Sequence, residues 1–444
     1  MPRSDVSGEF YFRLEIPFLA GIYLAVNAIR DSYLVVDGPM CAFYKIDQLQ
    51  SNHDIHAELA RLARPHRIVH TDLSVNRAVM GEERSLVTQL RAIDAVGDAG
   101  VIFVTGQSSA ILIGRDQDRL IEGFTSSSGA PVIVLRSRTL SGDWLDGWSQ
   151  LLTAAAQFVP LAERGESEKP RVGIVGYLYS RHEGDARGDV EELKRLASVL
   201  GAEPVSVWLS GQTWAELGEI GKADLLVALP HARPAAQALA KRTGAAVVEL
   251  PLPFSFEESA NFVRGLAAAL GRPEAAEAVI AAELDGPSET VLFLAERHLM
   301  GRAWTVVADP YYLKGWAELI ADCGGEIRAL VAPSRPHHLD PSLVRASNGE
   351  ECQVAFGSEP DWRRCLEFRG ESSATIFVAN GYCINFARRP DVVFFEWGYP
   401  CYTRHPAVLT PSLGFRGQAE LVGRIAELIF RQSLLASSDD GKQR

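Results

Sequence analysis

The chain has 444 residues, 47% of them hydrophobic and 23% charged, with a formal net charge of −12 and a pI near 5.4. At roughly 100–200 residues per domain this length makes two to four domains, and the composition excludes a disordered, collagen-like or disulfide-stapled chain. The acidic balance argues against a nucleic-acid backbone as the main partner.

Residues 1–9 are polar and lack the basic start and apolar core of a signal peptide. The best candidate for a membrane span, residues 16–29, is short of the roughly 18–20 apolar residues required; it is broken by Asn27 and followed by Arg30 and Asp31. A cytoplasmic protein without a membrane partner is expected.

Residues 32–36 then read as a strand running into the turn Asp37-Gly38-Pro39. A helical pattern over 82–95 precedes residues 100–105, whose Val101-Ile102-Phe103-Val104 run suits a strand buried on both faces. Residues 131–135 give a further strand, and the polar stretch 163–170 reads as a linker. A second set begins at 171–176, a strand entering a glycine turn. It continues with a helix over 189–200 ended by Gly201, which can adopt the left-handed C-cap conformation, and with strands at 204–209, 225–229 and 246–250. A third set opens after Gly286-Pro287. It holds a strand at 304–308, a helix over 312–323 closed by Gly324-Gly325, and strands at 327–331, 375–379 and 392–394. Near the end, Leu421, Ile425, Leu428 and Ile429 form a helical stripe within 418–434.

Strands alternating with helices imply parallel sheets with right-handed crossovers. The expected fold is α/β, with three Rossmann-like domains carrying open parallel sheets: 1–165, 166–286 and 287–444. Ligands in such sheets sit beyond the carboxyl ends of the strands.

The usual hydrolase and nucleotide motifs are missing. There is no GxxxxGK[ST] loop, no HExxH and no Gly-x-Ser-x-Gly elbow, and Gly173-Ile174-Val175-Gly176 lacks the full GxGxxG spacing. His53 and His56, at i and i+3, read either as metal ligands on one helical face or as a partly exposed pair on a polar helix. His337-His338, after Pro336, are adjacent and expected to point apart. The six cysteines, Cys41, Cys323, Cys352, Cys365, Cys383 and Cys401, form no CxxC pair, and most read as buried free thiols. Cys41 is the exception.

Cys41 lies in Leu34-Val35-Val36-Asp37-Gly38-Pro39-Met40-Cys41-Ala42-Phe43, which resembles the strand–Gly-Pro–Cys loop of nitrogenase component 1 and its relatives. In that family the loop carries a thiolate ligand of an iron–sulfur cluster. Cys-Ala followed by an aromatic is also close to the loop of dark-operative protochlorophyllide reductase. Ala78-Val79-Met80-Gly81-Glu82-Glu83-Arg84-Ser85-Leu86 is similar to the family's Phe-Gly-Gly-Glu-Lys-Lys-Leu segment. Residues 101–114 followed by Asp116 resemble its strand–Thr-Cys–Ile-Gly-Asp segment. Gly398-Tyr399-Pro400, Arg404-His405 and Gly414-Phe415-Arg416-Gly417 resemble its Gly-Phe-Pro…Arg-His…Gly-Tyr-Glu-Gly signature.

The departures from the family pattern shape what the resemblance implies. The first cluster cysteine, two residues before a proline, is here Glu15, and the third is Ser108. Only Cys41 remains as a thiolate, with Glu15 as a possible oxygen ligand and Ser108 as a helix cap or turn residue. Ala228 and Leu413 stand where the family anchors its molybdenum–iron cofactor, so no such cofactor is expected. The family works as pairs of related chains bridged by a cluster, and in some pairs one chain gives three ligands and the other one. This chain fits the one-ligand role in a hetero-oligomer holding a 4Fe-4S cluster. An ATP-dependent, nitrogenase-reductase-like iron–sulfur protein would supply electrons. The small-molecule substrate would be organic and reducible, tetrapyrroles being the family theme. An assembly scaffold for a metal cluster and a cluster-free binding partner stay open as other classes.

A substrate site is expected on the loops after the strands. Tyr177, Tyr179, Arg181 and His182 follow the first strand of the second set, and His231 and Arg233 follow the strand at 225–229. Tyr399, Arg404 and His405 belong to the C-terminal loop. Aromatic rings, cations and imidazoles suit a flat anionic substrate, with His182 and His405 as proton donors.

Overall fold

Long uninterrupted apolar runs become strands covered on both faces in the computed structural model, which describes residues 14–42, 46, 49–50, 53–61, 64–345, 352–366, 375–389, 391–405 and 407–440. Strand β1 (Ser32–Asp37), β3 (Val101–Gly106), β5 (Arg171–Val175) and β12 (Thr375–Ala379) are buried along their whole length. That is the burial expected of central strands in parallel sheets flanked by helices.

The chain forms two compact units. The first, Pro17–Ala186 with Ala197–Leu250, holds two four-stranded sheets. One adds β2 (Ile68–His70) and β4 (Val132–Val134) in the order β2-β1-β3-β4. The other joins β6 (Glu203–Val207), β7 (Leu225–Ala228) and β8 (Ala246–Glu249) to β5 as β6-β5-β7-β8. The second unit comprises the described parts of Met1–Ile16, Arg187–Leu196 and Pro251–Arg444. Its sheet contains β9 (Ala303–Val307), β10 (Glu326–Ala332), β11 (Val354–Phe356) and β13 (Val392–Glu396) in the order β11-β10-β9-β12-β13.

Among the described residues every pairing between these strands is parallel, with Leu34 opposite Phe103 and Ile68 in the first sheet. Each sheet reverses its winding between two neighbours: β1 and β3, β5 and β7, β9 and β12. These reversals open the crevices in which such sheets take ligands.

The apolar run 16–29 is a helix, Phe18–Asn27, all of whose residues are buried. It is apolar all round because it is enclosed all round. It crosses the helix Trp144–Phe158 at two glycines: a Cβ on Gly21 would lie 1.7 Å from the Trp144 carbonyl oxygen, and one on Gly147 2.2 Å from that of Phe18. Arg67, buried, donates from Nη2 to the carbonyls of Val26 and Ile29 at the end of Phe18–Asn27, and burial pulls its pKa down to about 10. Among the described residues no helix is long and apolar enough to cross a membrane.

Several expectations shift. The helix expected over 189–200 runs Glu183–Val199, and β2 and β11 are short edge strands that the pattern did not announce. His53 and His56 sit in turns, not on a helix; His53 is fully buried with Nε2 2.7 Å from the Ser180 carbonyl. His337 and His338 do not point apart, because the 3-10 turn Pro336–His338 sets their rings 3.9 Å apart, centroid to centroid. The expected helical stripe near the end belongs to Gly414–Asp440. Residues 1–9 and Phe43 lie outside the described residues.

Candidate functional site

The first sheet ends in a buried carboxylate. Asp37 closes β1 with no exposure; it accepts from Thr71 Oγ1 at 2.9 Å, Arg115 Nε at 2.7 Å and Gln117 Nε2 at 3.2 Å. These three donors offset the cost of burying the carboxylate. Arg115 also donates from Nη1 to the Glu82 carbonyl. One side chain therefore ties together the segments 34–43, 78–86 and 101–116.

Beyond Asp37 the chain turns through Gly38 into the 3-10 turn Met40–Ala42. Cys41 is exposed on this turn, and its thiol donates to Gln107 Oε1 at 3.5 Å. Gln107 follows β3, so the contact lies at the β1/β3 reversal of the sheet. Gln107 holds the N-cap position of the short helix Ser108–Leu112, and Ser108 is its first residue, half-buried. The Tyr23 hydroxyl is buried and has no hydrogen-bond partner among the described residues. Burial first, and then the charge of nearby Cys41, raise its pKa.

The other thiols differ. Burial pushes Cys323, Cys383 and Cys401 up to about 12, helped at Cys323 by Asp322 and at Cys401 by Glu396. Cys352 and Cys365 are half-buried. Glu15 belongs to the second unit, where its carboxylate accepts from Arg335 Nε at 2.7 Å.

In the middle sheet, the loop after β5 lies beside the loop after β7, where Gly176 approaches Ala232 and Leu229. Tyr177, Arg181 and His182 on the first of these loops are buried, and Tyr179 is half-buried. The Arg181 guanidinium stacks 4.2 Å from the Trp144 ring centre. His231 has φ +66°, and its carbonyl accepts from Ser149 Oγ at 3.2 Å. Arg233 is exposed and pairs with Glu249 at 3.0 Å. Sequence reasoning missed the polar network behind this loop, in which Asn27 Nδ2 donates to Asp54 Oδ2 at 2.7 Å and to Ser180 Oγ at 3.1 Å.

In the second unit, Tyr399 is buried, and Arg404 and His405 are half-buried. Glu396, at the end of β13, accepts from the Tyr402 and Thr403 backbone N–H groups at 2.8 and 2.9 Å. This loop follows an edge strand. The reversal of that sheet instead brings up Asp309 and Asn380, both buried, which the sequence did not single out.

A sequence model of the "Nitrogenase component 1 type Oxidoreductase" family matches residues 18–430. The chain belongs to this family. Among its relatives, the nitrogenase molybdenum-iron protein beta chain of Sinorhizobium fredii is 20% identical over 395 residues, covering 82% of this chain and 75% of that one. The beta chain of Clostridium pasteurianum is 21% identical over 383 residues, covering 79% and 80%. The solved structure "Nitrogenase Cp1 at pH 6.5" superposes with a TM-score of 0.78 at 17% identity, covering 97% of this chain and 95% of that chain. The architecture is thus that of nitrogenase component 1.

For a nitrogenase component 1 chain, the donors offered here are few. Cys41 is exposed at the crevice of the first sheet, on the turn that follows Gly38-Pro39. These features fit one corner of an iron–sulfur cluster. Glu15 is held by Arg335, and Ser108 offers only a hydroxyl. Ala228 and Leu413 are buried hydrocarbon side chains.

Proposed function

We propose that this chain is the one-ligand subunit of a nitrogenase-like reductase, with Cys41 supplying one thiolate to a 4Fe-4S cluster shared with a related partner chain. The observation that carries the reading is the exposure of Cys41 at the β1/β3 crevice, while Cys323, Cys383 and Cys401 are buried. When bound, such a cluster passes single electrons. An ATP-dependent, nitrogenase-reductase-like iron–sulfur protein is the proposed donor, and an organic molecule with a reducible double bond, of the tetrapyrrole type, the proposed acceptor.

The chain's own residues then have distinct tasks. Asp37, Thr71 and Arg115 hold the loop in one geometry. Tyr177, Tyr179, Arg181, His231 and Arg233 are the proposed substrate-binding residues of the first unit, and Tyr399 and Arg404 are those proposed on the second. His182 and His405 are the proposed proton donors. No molybdenum–iron cofactor is part of this reading. Glu15 remains a secondary ligand candidate only by leaving Arg335, and that pairing favours the competing reading of a cluster-free partner.

Iron and sulfide analysis after anaerobic purification with the partner chain separates the two. Cys41→Ala should abolish cluster content and the visible charge-transfer absorption, whereas His182→Ala and His405→Ala should keep both and lose turnover. Iron and absorption unchanged in Cys41→Ala would sink the reading.

A further inference from the structure

Gln107 is laid across the Cys41 loop by close packing. Its backbone N–H donates to the Asp37 carbonyl at 2.9 Å. A Cβ on Gly38 would lie 2.7 Å from Gln107 Cβ and Cγ, so the side chain keeps this place only because residue 38 is glycine. Gln107 is 9% exposed, and its amide is shared between two neighbours: Oε1 accepts from the Cys41 thiol at 3.5 Å, and Nε2 donates to the Pro39 carbonyl at 3.5 Å. The second bond stands at the outer limit of hydrogen-bond length.

A thiol has a proton to give and a metal-bound thiolate has none. The amide oxygen that suits the free thiol would face a thiolate as one acceptor against another. Turning the amide half a revolution exchanges Oε1 for Nε2 without moving a carbon atom. The sulfur then gains an N–H donor, while the long bond to Pro39 is lost and Oε1 faces the Pro39 carbonyl oxygen at that same long separation, a weaker opposition than one against a thiolate.

We propose that Gln107 is a positioning residue for Cys41, its amide accepting from the free thiol and donating to the metal-bound thiolate. This rests on the cluster reading above. An N–H donor on a cluster sulfur stabilises the more negative reduced state and so raises the reduction potential. Glutamate has the same shape and only accepts; leucine does neither.

The test is redox titration of the complex with its partner chain, monitored by electron paramagnetic resonance, beside iron content and melting temperature. Gln107→Leu should keep wild-type iron content and melting temperature while its midpoint potential moves more negative. Gln107→Glu should move it further in the same direction. A wild-type complex with iron, and a Gln107→Leu potential equal to or above it, overturns this inference and leaves the cluster reading standing. Complete loss of iron in Gln107→Leu at an unchanged melting temperature makes Gln107 a ligand and also overturns it. An iron-free wild-type complex overturns the cluster reading and this inference together.

Discussion

Asp322 is the last residue of the helix Pro310–Asp322, where a carboxylate faces the negative end of the helix dipole. Burial first, and then the charges of Glu318 and Glu257, push its carboxyl up to about 6, against an ordinary value of about 3.9. A raised acid pKa means that the folded chain holds the proton more tightly than the unfolded one. Between about pH 4 and 6 the unfolded carboxyl ionises first, so stability falls as pH rises through that window and stays lowered above it. Asp322 is itself exposed, so solvent discounts the effect; Asp322→Asn should melt slightly above wild type at pH 7.5 and level with it at pH 4, by scanning calorimetry. Equal melting at both pH values would contradict this assignment. Residue-scale legibility was uneven for a related reason. The strand and turn that carry Cys41 could be read from sequence, because strand, turn and cysteine are contiguous. Gln107 could not, since its contact with Cys41 joins residues 66 apart and exists only because β1 and β3 pair side by side.

At the scale of elements, the strands were the legible part, since a central parallel strand writes its burial as an apolar run. All three sheets follow from those runs in chain order. What failed were short edges and enclosed helices. β2 and β11 have three residues each and, unlike the equally short edge strand β4, do not sit in a longer apolar run. Phe18–Asn27 has no polar face to betray its helical repeat, and is specified instead by the glycines of its crossing. Gly21→Ala drives a Cβ into the Trp144 carbonyl, and forced backbone separation of this kind costs about 1–3 kcal/mol or more. Gly423→Ala, in the helix Gly414–Asp440, meets nothing within 4 Å and should stabilise by about 0.5–1 kcal/mol. Urea midpoints moving in opposite directions for the two variants would establish that the first glycine is required by packing and the second is not. A neutral Gly21→Ala would mean the helices can separate.

At the scale of the whole molecule, the exposed apolar side chains of the first unit bear on assembly. Met40 follows β1; Val75, Val79 and Met80 follow β2; Leu112 and Ile113 follow β3. All are between 51% and 83% exposed, and all belong to the loops at the carboxyl ends of one sheet, the end that presents Cys41. Single exposed apolar residues need no explanation, whereas a concentration of them marks a surface that another chain covers. On the proposed cluster reading, a lone thiolate on that end cannot close a four-ligand cluster either, so packing and the proposed coordination ask for the same partner. The chain should therefore sediment as an assembly when its partner chain is present. Val79→Asp combined with Leu112→Asp should weaken that assembly at least tenfold, because each places an unpaired charge in the covered face. A monomer in sedimentation velocity with the candidate partner present, or an assembly that ignores both aspartates, would move the contact surface away from the Cys41 loop.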